Sequence, residues 1–219
     1  MVRARSLLPL AALAAVLAYA EPAPAQTIVD EWSSVKAPPA PALKEVTVDP
    51  KTTALLVMDL TKQLCNNESR PRCIASIPKI ETLLAAARTN GVMVIYTLVS
   101  SPSITIADTL PAVAPKGNEP VVAAFLDKFM LGDQDTGLQK ILKDKGITTV
   151  IAVGTAAHGA VLYTASTAAL RGFNVIVPVD GMSGNGQNTY IEQYVAYNLV
   201  NAPVIAPKIT LTRIDMIKF

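Results

Sequence analysis

The chain has 219 residues, 51% of them hydrophobic and only 5% aromatic, enough for one domain whose core must be filled by Ala, Val, Leu and Ile. Nineteen Lys and Arg stand against seventeen Asp and Glu. So even a balance excludes the basic footprint of a nucleic-acid partner.

At the N-terminus, Arg3 and Arg5 precede an apolar stretch from Leu7 to Ala18, and small-x-small sites follow at Ala18-Tyr19-Ala20 and Ala23-Pro24-Ala25. This is the layout of a secretory signal peptide, residues 1–25, with cleavage expected after Ala25 because Pro22 and Pro24 hold the segment extended. The alternative, an uncleaved membrane anchor, suffers from an apolar run short for a bilayer. The expected product is an exported, periplasmic or secreted protein, soluble and without a membrane partner. Residues 26–50 are proline-rich and aperiodic and read as an extended arm, with the domain proper over 51–219.

Thr53 to Met58 is a continuous apolar run, the mark of a strand buried on both faces. Cys65 and Cys73 come next, and in an exported protein so close a pair is expected as a disulfide rather than a metal or reactive site. A helix is expected over Pro78–Asn90, with proline near its start and Gly91 after its end. A strand follows over 92–98, then a long polar loop over 99–120. The second half alternates again: a helix from Thr136 to Lys145, a strand from Thr149 to Val153, a helix from Ala157 to Leu170, a strand from Asn174 to Val179, a helix from Tyr190 to Asn201 and a last strand over 208–212. Such alternation predicts a three-layer α/β fold, a mostly parallel sheet flanked by helices on both faces. Ligands of these sheets sit beyond the carboxyl ends of the strands, which points to Asp59, the turn Gly154–Ala160 and Asp180–Ser183.

Asp59 closes the strand in LLVMDLTKQ, where partial desolvation would raise its affinity for a proton. A helix cap or a structural ion pair is the competing account. Lys128, in AAFLDKFM, is either a site residue or a lysine snorkelling to solvent. In GTAAHGAVLYTA (Gly154–Ala165) a strand ends in a small-residue turn that opens a helix, an arrangement able to hold an oxyanion. Thr155, Ala156, His158 and Gly159 are the candidate substrate and oxyanion residues there. His158, the only histidine, is either a member of the site or an ordinary hydrogen-bonded residue.

These three pieces, with Thr136-Gly137-Leu138 following the lysine, resemble the isochorismatase-like family of cysteine hydrolases over roughly residues 50 to 212. The resemblance implies a triad of Asp, Lys and Cys acting on a small-molecule substrate, a cis peptide at Thr155-Ala156, no cofactor, and frequent homodimers or higher oligomers. Asp59 and Lys128 match the triad, but the nucleophile position holds Ala160, so thioester chemistry there is impossible. The glutamine of the family's first motif is displaced, and no zinc-binding Asp/His set is evident, both against a nicotinamidase; no metal is expected. Family members that cleave a vinyl ether by acid-assisted hydration need no thiolate. The expectation is therefore a hydrolase working through Asp59 and Lys128. The alternative is a catalytically silent small-molecule binder. An engineered alanine ranks last, since the chain keeps a full leader and carries no tag, and Cys65 as a displaced nucleophile is weakened by its pairing.

Overall fold

Every residue from Thr53 to Met58 is buried, so this strand lies inside a sheet with both faces covered. The computed structural model describes residues 27–219 apart from Gln187; the expected signal peptide lies outside the described residues. In chain order the elements are α1 (Ile28–Glu31), β1 (Val46–Thr47), β2 (Thr53–Met58), α2 (Pro71–Thr89), β3 (Met93–Val99), β4 (Val121–Ala124), β5 (Met130–Leu131), β6 (Gln134–Asp135), α3 (Leu138–Asp144), β7 (Thr149–Thr155), α4 (Leu162–Leu170), β8 (Asn174–Pro178), β9 (Met182–Ser183), α5 (Tyr190–Asn201), β10 (Ile209–Thr212) and β11 (Ile217–Lys218).

The main sheet runs β10-β8-β7-β2-β3-β4, with β9 pairing onto β7. Its paired strands are all parallel. Side chains of β2 alternate between two cores. Leu55 and Val57 face Ile77, Ile80, Leu83 and Leu84 of α2, while Ala54, Leu56 and Met58 face the core built on α3, α4 and α5. This is the expected three-layer α/β architecture. The chain leaves β2 toward β3 on one side and returns through β7 on the other, so the strand order reverses between β2 and β7. A crevice opens at such a switch point, at the carboxyl ends of the two strands.

Several boundaries differ from expectation. The helix expected from Pro78 begins at Pro71, the first helical position, where a missing N–H costs nothing. Pro78 instead sits inside the helix on its exposed side. The chain divides into two units, Met1–Ala37 and Pro38–Phe219. The second begins before the expected residue 51, because the Lys44 N–H donates to the Leu211 carbonyl at 2.9 Å and β1 pairs with β11. In the first, Ile28–Ser34 forms helical turns rather than extended arm. Residues 99–120 are no free polar loop either. They hold 3-10 turns at Ile106–Asp108 and Pro111–Val113, and Val113 is fully buried with its carbonyl accepting the Tyr96 hydroxyl at 2.7 Å.

Among the described residues, no helix is long and apolar enough to cross a membrane.

Candidate active site

At the switch point Met58 is in register with Gly154 across β2 and β7. The strands approach so closely that a Cβ on Gly154 would lie 2.0 Å from the Met58 carbonyl oxygen, and Gly154 has φ 133°. Only glycine fits there. The residue just after β2, Asp59, adopts φ 57°, a left-handed conformation that Asp tolerates better than most side chains. It is held by its N–H donating to the Thr97 carbonyl (3.1 Å) and its carbonyl accepting the Thr61 N–H (2.9 Å).

Asp59 is 2% exposed and Lys128 fully buried. Their Nζ and Oδ2 atoms are 2.8 Å apart. The Lys128 ammonium also donates to the Phe125 carbonyl (2.8 Å), and Thr97 Oγ1 donates to Asp59 Oδ1 (3.4 Å). Two threonines fix the lysine's backbone. Thr164 Oγ1 accepts the Lys128 N–H (3.1 Å), and Thr136 Oγ1 donates to the Lys128 carbonyl (2.7 Å). The Thr-x-Leu segment after the lysine and the Thr-Ala that ends the third motif thus have one physical job, clamping Lys128 over Asp59. The lysine does not snorkel.

Burial pushes the Asp59 carboxyl up to about 6, against the opposing pull of Lys128, Thr97 and Arg70. Burial likewise pushes Lys128 down, with Asp59 pulling it back up. A carboxyl poised near neutral pH beside an amine is suited to giving and taking a proton.

A cavity of about 180 Å³ opens over Asp59, lined also by Arg70, Phe125, Thr155, Gly159 and Ala160. The Thr155-Ala156 peptide is cis. The turn Ala157–Val161 leads into α4, with Gly159 at non-helical φ −121° and ψ −108°. Ala160, 2% exposed, presents a methyl where the resemblance expects a thiol. Lys128 does not line the cavity; it stands behind Asp59. His158, a candidate substrate residue from the sequence, does not line the cavity either. It is half-buried in the turn, and its Nδ1 has no hydrogen-bond partner among the described residues.

Cys65 and Cys73 are joined, with Cα atoms 5.4 Å apart, so neither offers a free thiol near the site. Sequence reasoning missed Arg70, carried on the loop this disulfide closes. Arg70 lines the cavity, and its guanidinium donates through Nε to Asn185 Oδ1 (2.7 Å) and through Nη1 to the Leu64 carbonyl (2.7 Å). Among the described residues, no group of three or more His, Cys, Asp or Glu could hold a metal ion.

The family model of the isochorismatase domain matches residues 53–206, more than half of the chain. A secreted isochorismatase effector of Verticillium dahliae is 28% identical over 146 residues, covering 62% of this chain and 75% of the effector. Among solved structures, a cysteine hydrolase from Pseudomonas syringae pv. phaseolicola is similar with a TM-score of 0.66 at 18% identity, over 80% of this chain and 94% of its own. An isochorismatase from Pseudomonas putida is similar with a TM-score of 0.67 at 17% identity, over 78% and 93%. At these identities the two structures speak for the fold.

Proposed function

From the premise that the chain belongs to the isochorismatase domain family, we propose that it is a small-molecule hydrolase working by acid–base chemistry through Asp59 and Lys128, with water in place of a cysteine thiolate. The observation that carries the reading is Asp59 itself. It is a desolvated carboxyl near pH 6, 2.8 Å from a buried ammonium, on the wall of a cavity that holds no thiol. Asp59 donates its proton to the outer carbon of the substrate's C=C–O group, which leaves an oxocarbenium ion. Water entering beside the Ala160 methyl attacks that cation, the Asp59 carboxylate takes a proton from the water, which restores the acid, and the hemiketal so formed breaks its C–O bond to give a carbonyl compound and an alcohol. Lys128 stabilises the carboxylate between the two transfers and anchors its orientation through Oδ2. A vinyl ether fits this sequence best, because its protonation yields a stabilised oxocarbenium ion without a covalent enzyme intermediate.

Asp59→Asn should lower turnover by about 10²–10⁴-fold, the usual worth of a positioned acid. Asn is also enriched in the left-handed conformation that position 59 requires. Ala160→Cys should leave the rate nearly unchanged. A screen of vinyl ethers, small amides and imides in which the wild type is inert, while Ala160→Cys is active, would overturn the proposal and leave a small-molecule binder.

We also propose that the protein is exported and loses residues 1–25. The leader-like sequence, the Cys65–Cys73 disulfide and the relative named as a secreted effector support this.

A further inference from the structure

The Lys128 ammonium is held by Asp59 Oδ2 and the Phe125 carbonyl and does not line the cavity, so it is not placed to bind an external charge. The residues around the cavity include one further charged side chain, Arg70. Nothing in the acid–base chemistry needs it. Of its five N–H groups, two are engaged among the described residues, by Asn185 Oδ1 and the Leu64 carbonyl. No acidic side chain pairs with it through a hydrogen bond among the described residues. The guanidinium is therefore held at one edge while the rest of its fork remains available.

Its mounting is rigid. The Arg70 N–H donates to the Asn66 carbonyl and the Arg70 carbonyl accepts the Cys73 N–H, both at 2.9 Å. The Asn66 side chain caps the turn by accepting from the Glu68 and Ser69 N–H groups. The disulfide closes this segment across a separation of eight residues. From the segment after β9, the Gly186 N–H donates to the Ser69 carbonyl at 2.7 Å. A long, entropically costly side chain is thus fixed before any ligand arrives, which is what preorganised recognition requires.

We propose that Arg70 is the ligand-anchoring residue of this cavity, and that the ligand is a small monoanionic carboxylate bound by the unengaged side of its guanidinium. This rests on the reading that the cavity over Asp59 is the ligand site. Arg70 puts one positive charge on the cavity wall, whereas Lys128 stands behind Asp59 and does not line it, so one negative charge on the ligand is matched. The planar fork matches a carboxylate, to which Arg binds in bidentate fashion where Lys offers only a point charge. A volume of about 180 Å³ is below the ~300–1,000 Å³ of drug-sized sites, so the rest of the ligand is small. With its carboxylate on Arg70, the remainder of the ligand extends toward Asp59 and Ala160.

The test compares carboxylates with their uncharged carboxamides: benzoate with benzamide, and crotonate with crotonamide, titrated into the full-length mature protein by calorimetry or ligand-observed NMR. Each carboxylate should bind at least about tenfold more tightly than its amide. In Arg70→Gln the preference should fall to within about twofold, with circular dichroism checking the fold. Arg70→Lys keeps the charge without the fork, serves if the glutamine variant does not fold, and should lose at least half of the preference on a logarithmic scale. Equal affinity for acid and amide in the wild type, or a preference that survives both substitutions, overturns the proposal. Turnover is not read here. Arg70-dependent binding without Asp59-dependent turnover would leave this inference standing and remove the hydrolase, and the converse result would do the opposite.

Discussion

Replacing Asp59 by Asn changes how stability depends on pH, in a direction that the structure fixes. The folded-state value of about 6 lies above the ordinary 3.8, so the folded protein binds this proton more tightly than the unfolded chain does. The stabilisation from Asp59 is then fully present below pH 3.8 and is lost as pH rises through about 6. Its full span is about 3 kcal/mol, from roughly 1.4 kcal/mol per pH unit over the two-unit shift. Between about pH 4.5 and about pH 6.5 the change is roughly 2 kcal/mol. Urea denaturation of both proteins at these two pH values reads it. Other carboxylates, such as Asp108 and Asp135, are held below their ordinary values and act in the opposite sense, but they are common to both proteins and cancel in the difference. Lys128 reinforces the trend. Without its partner it is pushed further down, so the variant gains stability with rising pH and the gap narrows in the same direction. The wild-type advantage should therefore shrink by roughly 2 kcal/mol or more from the acid to the near-neutral condition. A gap that stays constant, or widens toward pH 6.5, would show that Lys128 holds Asp59 as a permanent anion. That result would refute Asp59 as a proton donor.

The disulfide and the leader carry the remaining predictions. Unfolded, unreduced protein should titrate no free thiol, and reduction should lower the unfolding free energy by about 2.5 kcal/mol, the chain-entropy value for a loop of about nine residues; two reactive thiols in the oxidised sample would contradict the pairing. Protein recovered from the exporting compartment should have the intact mass of a chain beginning at Gln26, and a full-length mass would remove the signal peptide.

What could be read from the sequence was whatever one segment encodes by itself. The two-sided burial of β2 announces itself as an unbroken apolar run, and the end of that run marks Asp59. The bounds of α5 were legible because Pro203 follows Asn201 closely. The start of α2 was not, because Pro71 and Pro78 are equally good first-turn residues and only packing chooses between them. The short pairings β4, β9 and β11 carry too few residues for a period to register. Arg70 was invisible for a stronger reason. Its significance needs a disulfide to close its own loop and Asn185, 115 residues away, to orient its Nε. Thr97 became a partner of Asp59 only through the register of β3 beside β2. His158 misled because its uniqueness in the chain and its place in the turn suggested chemistry, while the turn's path keeps it off the cavity.

The buried pair also bears on why a candidate active site can be read here although position 160 holds no cysteine. A buried Asp–Lys pair is poor evidence of stability: desolvating both charges costs about as much as their attraction returns, and apolar replacements of similar volume are often as stable or more so. Here both partners are shifted by burial against their mutual attraction, so desolvation wins at each. Asp59 adds a left-handed backbone conformation at a non-glycine residue, and sites that break local rules in this way tend to be functional. Ala160, by contrast, breaks nothing. It packs its methyl in the core around α4 and imposes no strain that a water-based reaction would have to relieve. The destabilisation carried by Asp59 above pH 6 and its readiness to release a proton near that pH are one physical quantity, the same burial seen first in the stability and then in the chemistry.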